Sequence, residues 1–126
     1  IFGRTIPVAN WDAPNERDLA AAHRASVNYP IQSSASDCVS LGINRVARKL
    51  RALKWPVNLV LTVHDSLLAE VRDDYVERYS LMAVKQLEAR IPQVKRMKLR
   101  VDVSTSKKGW GSLKEIEFAK DVARGA

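Results

Sequence analysis

The sequence predicts an α+β fold: a small antiparallel sheet containing a hairpin with His64 and Asp65 at its tip, and helices packed on it. Three observations predict it. Apolar residues follow helical spacing from Ala35 to Leu53. Two short runs rich in β-branched and apolar residues, Val57 to Val63 and Leu67 to Val71, are separated by only His64, Asp65 and Ser66. Leu99, Val101 and Val103 alternate with Lys98, Arg100 and Asp102, the period of a half-buried strand.

Taken in order, Phe2 to Val8 is short and apolar and reads as a short strand or edge segment, ended by Pro7. Asn10 to Asn15 is a loop, marked by Asn10, Asp12, Pro14 and Asn15. Glu16 to Val27 is rich in helix formers. Pro30 disfavours helical geometry at Tyr29, so this helix is expected to end there. Ser33 or Ser34 then caps a second helix, with Asp37 completing a capping-box pattern. Its apolar face is Ala35, Val39, Gly42, Ile43, Val46, Leu50 and Leu53. The opposite face carries Arg45, Arg48, Lys49 and Arg51, a solvated face unless phosphates contact it. Pro56 ends this helix, and the hairpin follows. Asp73 or Asp74 caps a further helix to about Arg90, with Val76, Tyr79, Ala83 and Leu87 as its buried stripe. Ser104 to Gly111 is a polar loop, and Leu113 to Ala123 reads as a short amphipathic helix.

The 126 residues suffice for one domain with a modest core, and 46% hydrophobic content is that of a globular chain. A net charge of +7 favours a polyanionic partner. No apolar run approaches the roughly 20 residues that span a bilayer. There is no signal peptide pattern, and the single cysteine, Cys38, suits a reducing compartment; the expected location is the cytoplasm. Its helical position favours burial over reactivity. One cysteine and two histidines give no zinc-ligand spacing. The chain opens at Ile1 without a methionine and reads as a piece of something longer, or a mature fragment.

Two stretches carry candidate chemistry. Arg24, Asn28 and Gln32 recur at intervals of four, and with Pro30 between them they would line a helix end, a turn and a helix start. A guanidinium fork and two amides supply donors and acceptors suited to phosphates and base edges. Alone, such a set is better explained by surface polarity around a helix cap. The second stretch is Val63, His64, Asp65 and Ser66. A partly exposed carboxylate held at a hairpin tip is a natural Mg²⁺ ligand, because Mg²⁺ takes oxygen donors and often only one or two carboxylates. Alone, Asp65 is more readily a turn former and His64 a hydrogen-bonded structural histidine.

Together the stretches resemble a known family. Arg24, Asn28, Pro30, Gln32, Ala35 and Asp37, followed after a helix by an apolar strand ending Val63-His64-Asp65, resemble the C-terminal palm of family A (DNA polymerase I-like) DNA polymerases. Gly3, Arg4 and Pro7 resemble the segment preceding that motif. Val101 to Ser104, with Gly109 and Trp110, resemble its closing strand and C-terminal Trp. The resemblance covers about Phe2 to Trp110. It implies that residues 1–126 are the C-terminal part of a polymerase palm, with 111–126 an extra tail.

In that family two Asp residues hold two Mg²⁺ ions for nucleotidyl transfer, a matter of positioning and charge neutralisation. The resemblance implies that Asp65 is one of the catalytic, metal-binding carboxylates and that His64 lies near the primer terminus. It implies that Arg24, Asn28 and Gln32 contact primer-template DNA in the minor groove. The other Asp and the fingers that bind dNTP have no counterpart here. A second polypeptide or a missing N-terminal part is expected to supply them, as in a split, phage-type enzyme or a fragment. Ser66 stands where the family usually has Glu. Phage-type RNA polymerases, which share the palm, can carry Ser there, which leaves RNA synthesis as a minor option. Two other classes stand beside the polymerase reading: a non-catalytic nucleic-acid-binding module derived from a palm, and a basic interaction domain without nucleic acid.

Overall fold

The computed structural model describes residues 2–94 and 99–116. The architecture is α+β, with α1 (Glu16–Leu53), β1 (Val57–Val63), β2 (Ser66–Val71), α2 (Val76–Leu87), β3 (Ser104–Thr105) and β4 (Lys114–Glu115) in chain order. The chain divides into two compact units, Ile1–Val39 and Ser40–Ala126, and the division falls inside α1.

The first unit is built on the N-terminal part of α1. Asn15 caps it: its side-chain oxygen accepts the Asp18 backbone N–H at 2.8 Å, and its amide donates to the Asp18 carboxylate at 2.8 Å. That satisfies one of the orphan donors of the first turn. Glu16 and Asp18 also place negative charge at the positive end of the helix dipole. Residues 2–8 form no strand. They lie along α1, where Phe2, Arg4, Ile6 and Val8 line a shallow recess with Ser26, Tyr29, Pro30 and Asp37. Arg4 fastens this segment by a forked ion pair with Asp37. A segment held by side chains needs no ladder of backbone bonds.

The expected break at Pro30 is absent. A single 38-residue helix runs through it. Proline in a helix interior removes one backbone donor and crowds the carbonyl four residues earlier, a cost of about 3 kcal/mol. Here Pro30 is exposed, and the carbonyl it frees is that of Ser26, which is half-buried. Ser33 and Ser34 do not cap a new helix. Both hydroxyls donate back to the Pro30 carbonyl, at 3.4 and 2.6 Å. Asp37 is taken by Arg4 and completes no capping box. Among the described residues of this unit, Ala22 and Cys38 are buried.

In the second unit the rest of α1, the β1–β2 hairpin and α2 share one core. Val46, Leu50 and Ala83 form its centre, with Trp55, Val57, Leu59, Leu67, Tyr79, Met82 and Leu87 packed around them. Full burial of a side chain such as Val46 contributes about 1.5–3 kcal/mol. Of the expected apolar face, Gly42, Val46 and Leu50 are buried, whereas Ala35 and Leu53 are exposed. α1 ends with Lys54 in the left-handed region (φ 51°), its N–H bonded to the Leu50 carbonyl at 2.9 Å. Pro56 follows two residues later, where a helix cannot continue.

β1 and β2 pair antiparallel from Val57↔Val71 to Val63↔Ser66, and the register slips by one residue between Leu59 and Leu61. Val60 is the extra residue of a β-bulge, which disrupts the in–out alternation. Val60, Leu61 and Thr62 are accordingly all exposed. A 3₁₀ turn, Asp73–Tyr75, leads into α2. Neither Asp73 nor Asp74 caps α2: Asp74 pairs with Arg72 at 2.6 Å and Asp73 with Lys107 at 2.7 Å. α2 ends at Leu87, short of Arg90. Arg45 donates to the carbonyls of Ala89 and Arg90 just beyond it, at 2.9 and 3.3 Å. The anticipated strand at 99–103 is irregular chain, held by the Val101 N–H donating to the Glu88 carboxylate at 2.9 Å. The short β3–β4 pair follows, so Lys114 and Glu115 are strand where a helix was expected; residues 117–123 of that expected helix lie outside the described residues.

Candidate functional site

The hairpin tip is a two-residue turn. β1 ends at Val63 and β2 starts at Ser66, one residue earlier than the sequence suggests, leaving His64 and Asp65 to close the loop. His64 sits at φ 53°, a left-handed conformation that two-residue hairpins need and glycine usually supplies. Histidine tolerates that region better than most side chains. Ser66 ties the neck of the turn, its hydroxyl donating to the Val63 carbonyl at 2.8 Å. His64, Asp65 and Ser66 are all exposed. The Asp65 carboxylate is therefore accessible to solvent, on a turn fixed from both sides by paired strands.

Such a carboxylate fits one coordination position of Mg²⁺, which keeps several waters and takes few protein ligands. It does not make a complete site. Among the described residues no group of three or more His, Cys, Asp or Glu is placed to hold a metal.

Arg24, Asn28 and Gln32 belong to the first unit, His64 and Asp65 to the second. Because α1 is unbroken, the three helical residues lie on one face instead of around a turn. At 100° per residue, steps of four drift by only about 40°, so the trio spans about 80° of the helix and about 12 Å along it. All three are exposed. Arg17, Ala20, Ala21 and Ala35 fall on the same face by the same arithmetic and are exposed as well. Sequence reasoning misses Arg17, although its spacing of seven from Arg24 is an available signal. It also misses the Arg4–Asp37 pair, because nothing in the sequence links positions 33 residues apart.

The sequence profile of DNA polymerase family A matches residues 1–112. The chain belongs to DNA polymerase family A. It is similar to DNA polymerase I of Chloroflexus aurantiacus, 39% identical over 61% of the chain and 8% of that protein. It is similar to DNA polymerase I of Rhizobium leguminosarum, 36% identical over 81% of the chain and 10% of that protein. The thermostable DNA polymerase I of Thermus thermophilus is 31% identical over 91% of the chain and 13% of its own length. The chain thus spans about a tenth of the length of these family A relatives. No solved structure matches it significantly. Among the described residues no helix is long and apolar enough to cross a membrane.

Proposed function

We propose that this family A chain is the C-terminal part of a polymerase palm, residues 111–126 forming an extra tail, and that it supplies half of a metal-binding site and part of a DNA groove to template-directed DNA synthesis. The observation that carries this reading is Asp65, an exposed carboxylate on a two-residue hairpin turn, in a chain whose residues 1–112 match the family. Asp65 would be one of the carboxylates that hold Mg²⁺, which when bound neutralises phosphate charge and lowers the barrier to nucleotidyl transfer. His64, beside it, would face the primer terminus. Arg24, Asn28 and Gln32 would donate to the minor groove of primer-template DNA. Acceptors at purine N3 and pyrimidine O2 occur there in every base pair, so such donors test pairing geometry without selecting sequence. The second carboxylate and the dNTP-binding fingers come from the rest of the protein or from a second polypeptide.

Mixing the chain with a polypeptide that carries those missing parts is expected to give Mg²⁺-dependent primer extension. Asp65→Ala should reduce extension by about 10²–10³-fold or more, in line with removal of a group that stabilises transition-state charge, and leave DNA binding intact. If both parts fold and associate yet no extension occurs, or if Asp65→Ala extends as well as the wild type, the catalytic reading fails.

A second reading, a nucleic-acid-binding module without catalysis, is favoured by one observation. The exposed face from Arg17 to Ala35 lies on one helix of this chain, whereas no metal site is assembled among the described residues. In that case salt-dependent DNA binding persists in every mixture and no synthesis appears.

A further inference from the structure

We propose that Val27 and Ile31 make the Arg24–Asn28–Gln32 face selective for deoxyribose over ribose in the duplex that it grips. The proposal rests on the reading that this face contacts a minor groove. Val27 and Ile31 are the two most exposed large hydrophobic side chains among the described residues, at 65% and 67%. Helix geometry places Ile31 about 20° and Val27 about 60° to one side of Arg24, with Asn28 and Gln32 on the other side. The apolar pair and the donor trio therefore form one continuous strip of α1, about 140° wide. No acidic residue falls on that strip between Arg17 and Ala35, and the chain carries a net charge of +7. Charge complementarity commits the strip to a polyanion, and the donors to a groove floor of acceptors.

The walls of a minor groove are sugars. A deoxyribose offers only carbon-bound hydrogens and its ring oxygen there, and Val27 or Ile31 can cover those carbons with gain of buried apolar area. A ribose offers a 2′-hydroxyl, and A-form minor grooves display those hydroxyls. Neither side chain can donate or accept. A 2′-hydroxyl pressed against them loses water and finds no partner. The strip therefore tolerates DNA and penalises RNA through its apolar edge, while its donors treat both alike.

The test is equilibrium binding of the full chain, at one salt concentration, to a DNA duplex and to an RNA–DNA hybrid of the same sequence. The wild type is expected to prefer the DNA duplex by roughly five- to tenfold, the size of one unpaired hydroxyl in a partly hydrated contact. Val27→Thr with Ile31→Thr should narrow that preference to within about twofold, because threonine hydroxyls can bond a ribose. Ile31→Ala, which suits a helix and adds no hydroxyl, should weaken DNA binding more than hybrid binding. Arg24→Ala should weaken both duplexes alike and leave the ratio in place. No preference in the wild type, or a preference that neither Val27 nor Ile31 variants alter, overturns the proposal. If Arg24→Ala, Asn28→Ala and Gln32→Ala all leave both affinities unchanged, the minor-groove reading itself fails, and this inference with it.

Discussion

Gly42 is a point of close approach between α1 and α2. A methyl group at this position would stand 2.9 Å from Leu87 Cδ2, 3.2 Å from Leu87 Cα and 3.6 Å from the Leu87 carbonyl oxygen. Two effects then oppose each other in Gly42→Ala. Alanine is favoured over glycine in a helix interior by about 0.8–1.0 kcal/mol. Against that, the Leu87 side chain must leave its rotamer, at about 0.5–1.5 kcal/mol. The 3.2 Å approach to the Leu87 backbone is harder to relieve, since moving it shifts the end of α2 away from a core that includes Val46 and Ala83. Overpacking of this kind costs about 1–3 kcal/mol. The packing cost exceeds the propensity gain, and the expected net loss is about 1 kcal/mol.

Urea unfolding with a shared slope reads that loss as a lower midpoint, because the surface exposed on unfolding is unchanged. Gly42→Val, larger and β-branched, should lose about 2–4 kcal/mol. A cycle with Leu87→Ala separates the side-chain clash from the backbone crowding. Trimming Leu87 removes the clash at Cδ2 and leaves the backbone as close as before. Gly42→Ala should therefore be less harmful in that background, with a coupling of about 0.5 kcal/mol or more. If Gly42→Ala instead stabilises the chain by about 1 kcal/mol, as in a free helix, then α2 yields at this point and the reasoning is refuted.

Pro30→Ala restores a backbone donor to the middle of α1 and should raise stability by about 1–3 kcal/mol in the same urea assay; a loss would mean that the ring packs against the leading segment more than it harms the helix. Arg45→Ala removes two charge-assisted bonds to the chain just past α2 and should lower stability by about 1–2 kcal/mol, with Arg45→Lys recovering only part. Equal stability of Arg45→Ala and the wild type would show that those bonds only replace bonds to water. Burial pushes the Tyr79 phenol up to about 12 from its ordinary 10. The folded state thus holds that proton more tightly than the unfolded state. The contribution is whole below pH 10 and is lost as pH rises through about 12. Tyr79→Phe should remove that alkaline component from a stability–pH profile, and an unchanged slope would refute it.

The elements legible in the sequence are those decided by local pattern. The apolar positions Gly42, Val46 and Leu50 recur with a helical period and are all buried. The two runs flanking His64 and Asp65 are short, β-branched and closely spaced, and they pair. Sequence and structure part where tertiary contacts override local preference. Pro30 breaks a helix if its cost is weighed alone, but a long helix with an exposed proline absorbs a few kcal/mol. Residues 2–8 have strand-like composition, yet Arg4 finds Asp37 and not a partner strand. Leu99, Val101 and Val103 alternate as a strand does, but Val101 bonds a side chain, Glu88, in place of a ladder. The bulge at Val60 has no sequence signal, since no glycine marks it.

The unbroken helix at Pro30 bears on function more than the other differences. Were the helix broken there, Gln32 would ride on a separate element, and its distance from Arg24 would depend on a turn. On one helix, each step of four residues advances about 6 Å, and the trio covers about 12 Å. That length corresponds to three to four base pairs at about 3.4 Å each. On the proposed reading, the three donors would test roughly every second pair of one duplex, with spacing set by backbone hydrogen bonds and not by loop conformation. Ser33 and Ser34 donate to the Pro30 carbonyl, whereas the carbonyl that Pro30 leaves without a helical donor is that of Ser26, one turn earlier. A proline tolerated inside such a helix is thus compatible with a reading face whose spacing the helix itself sets.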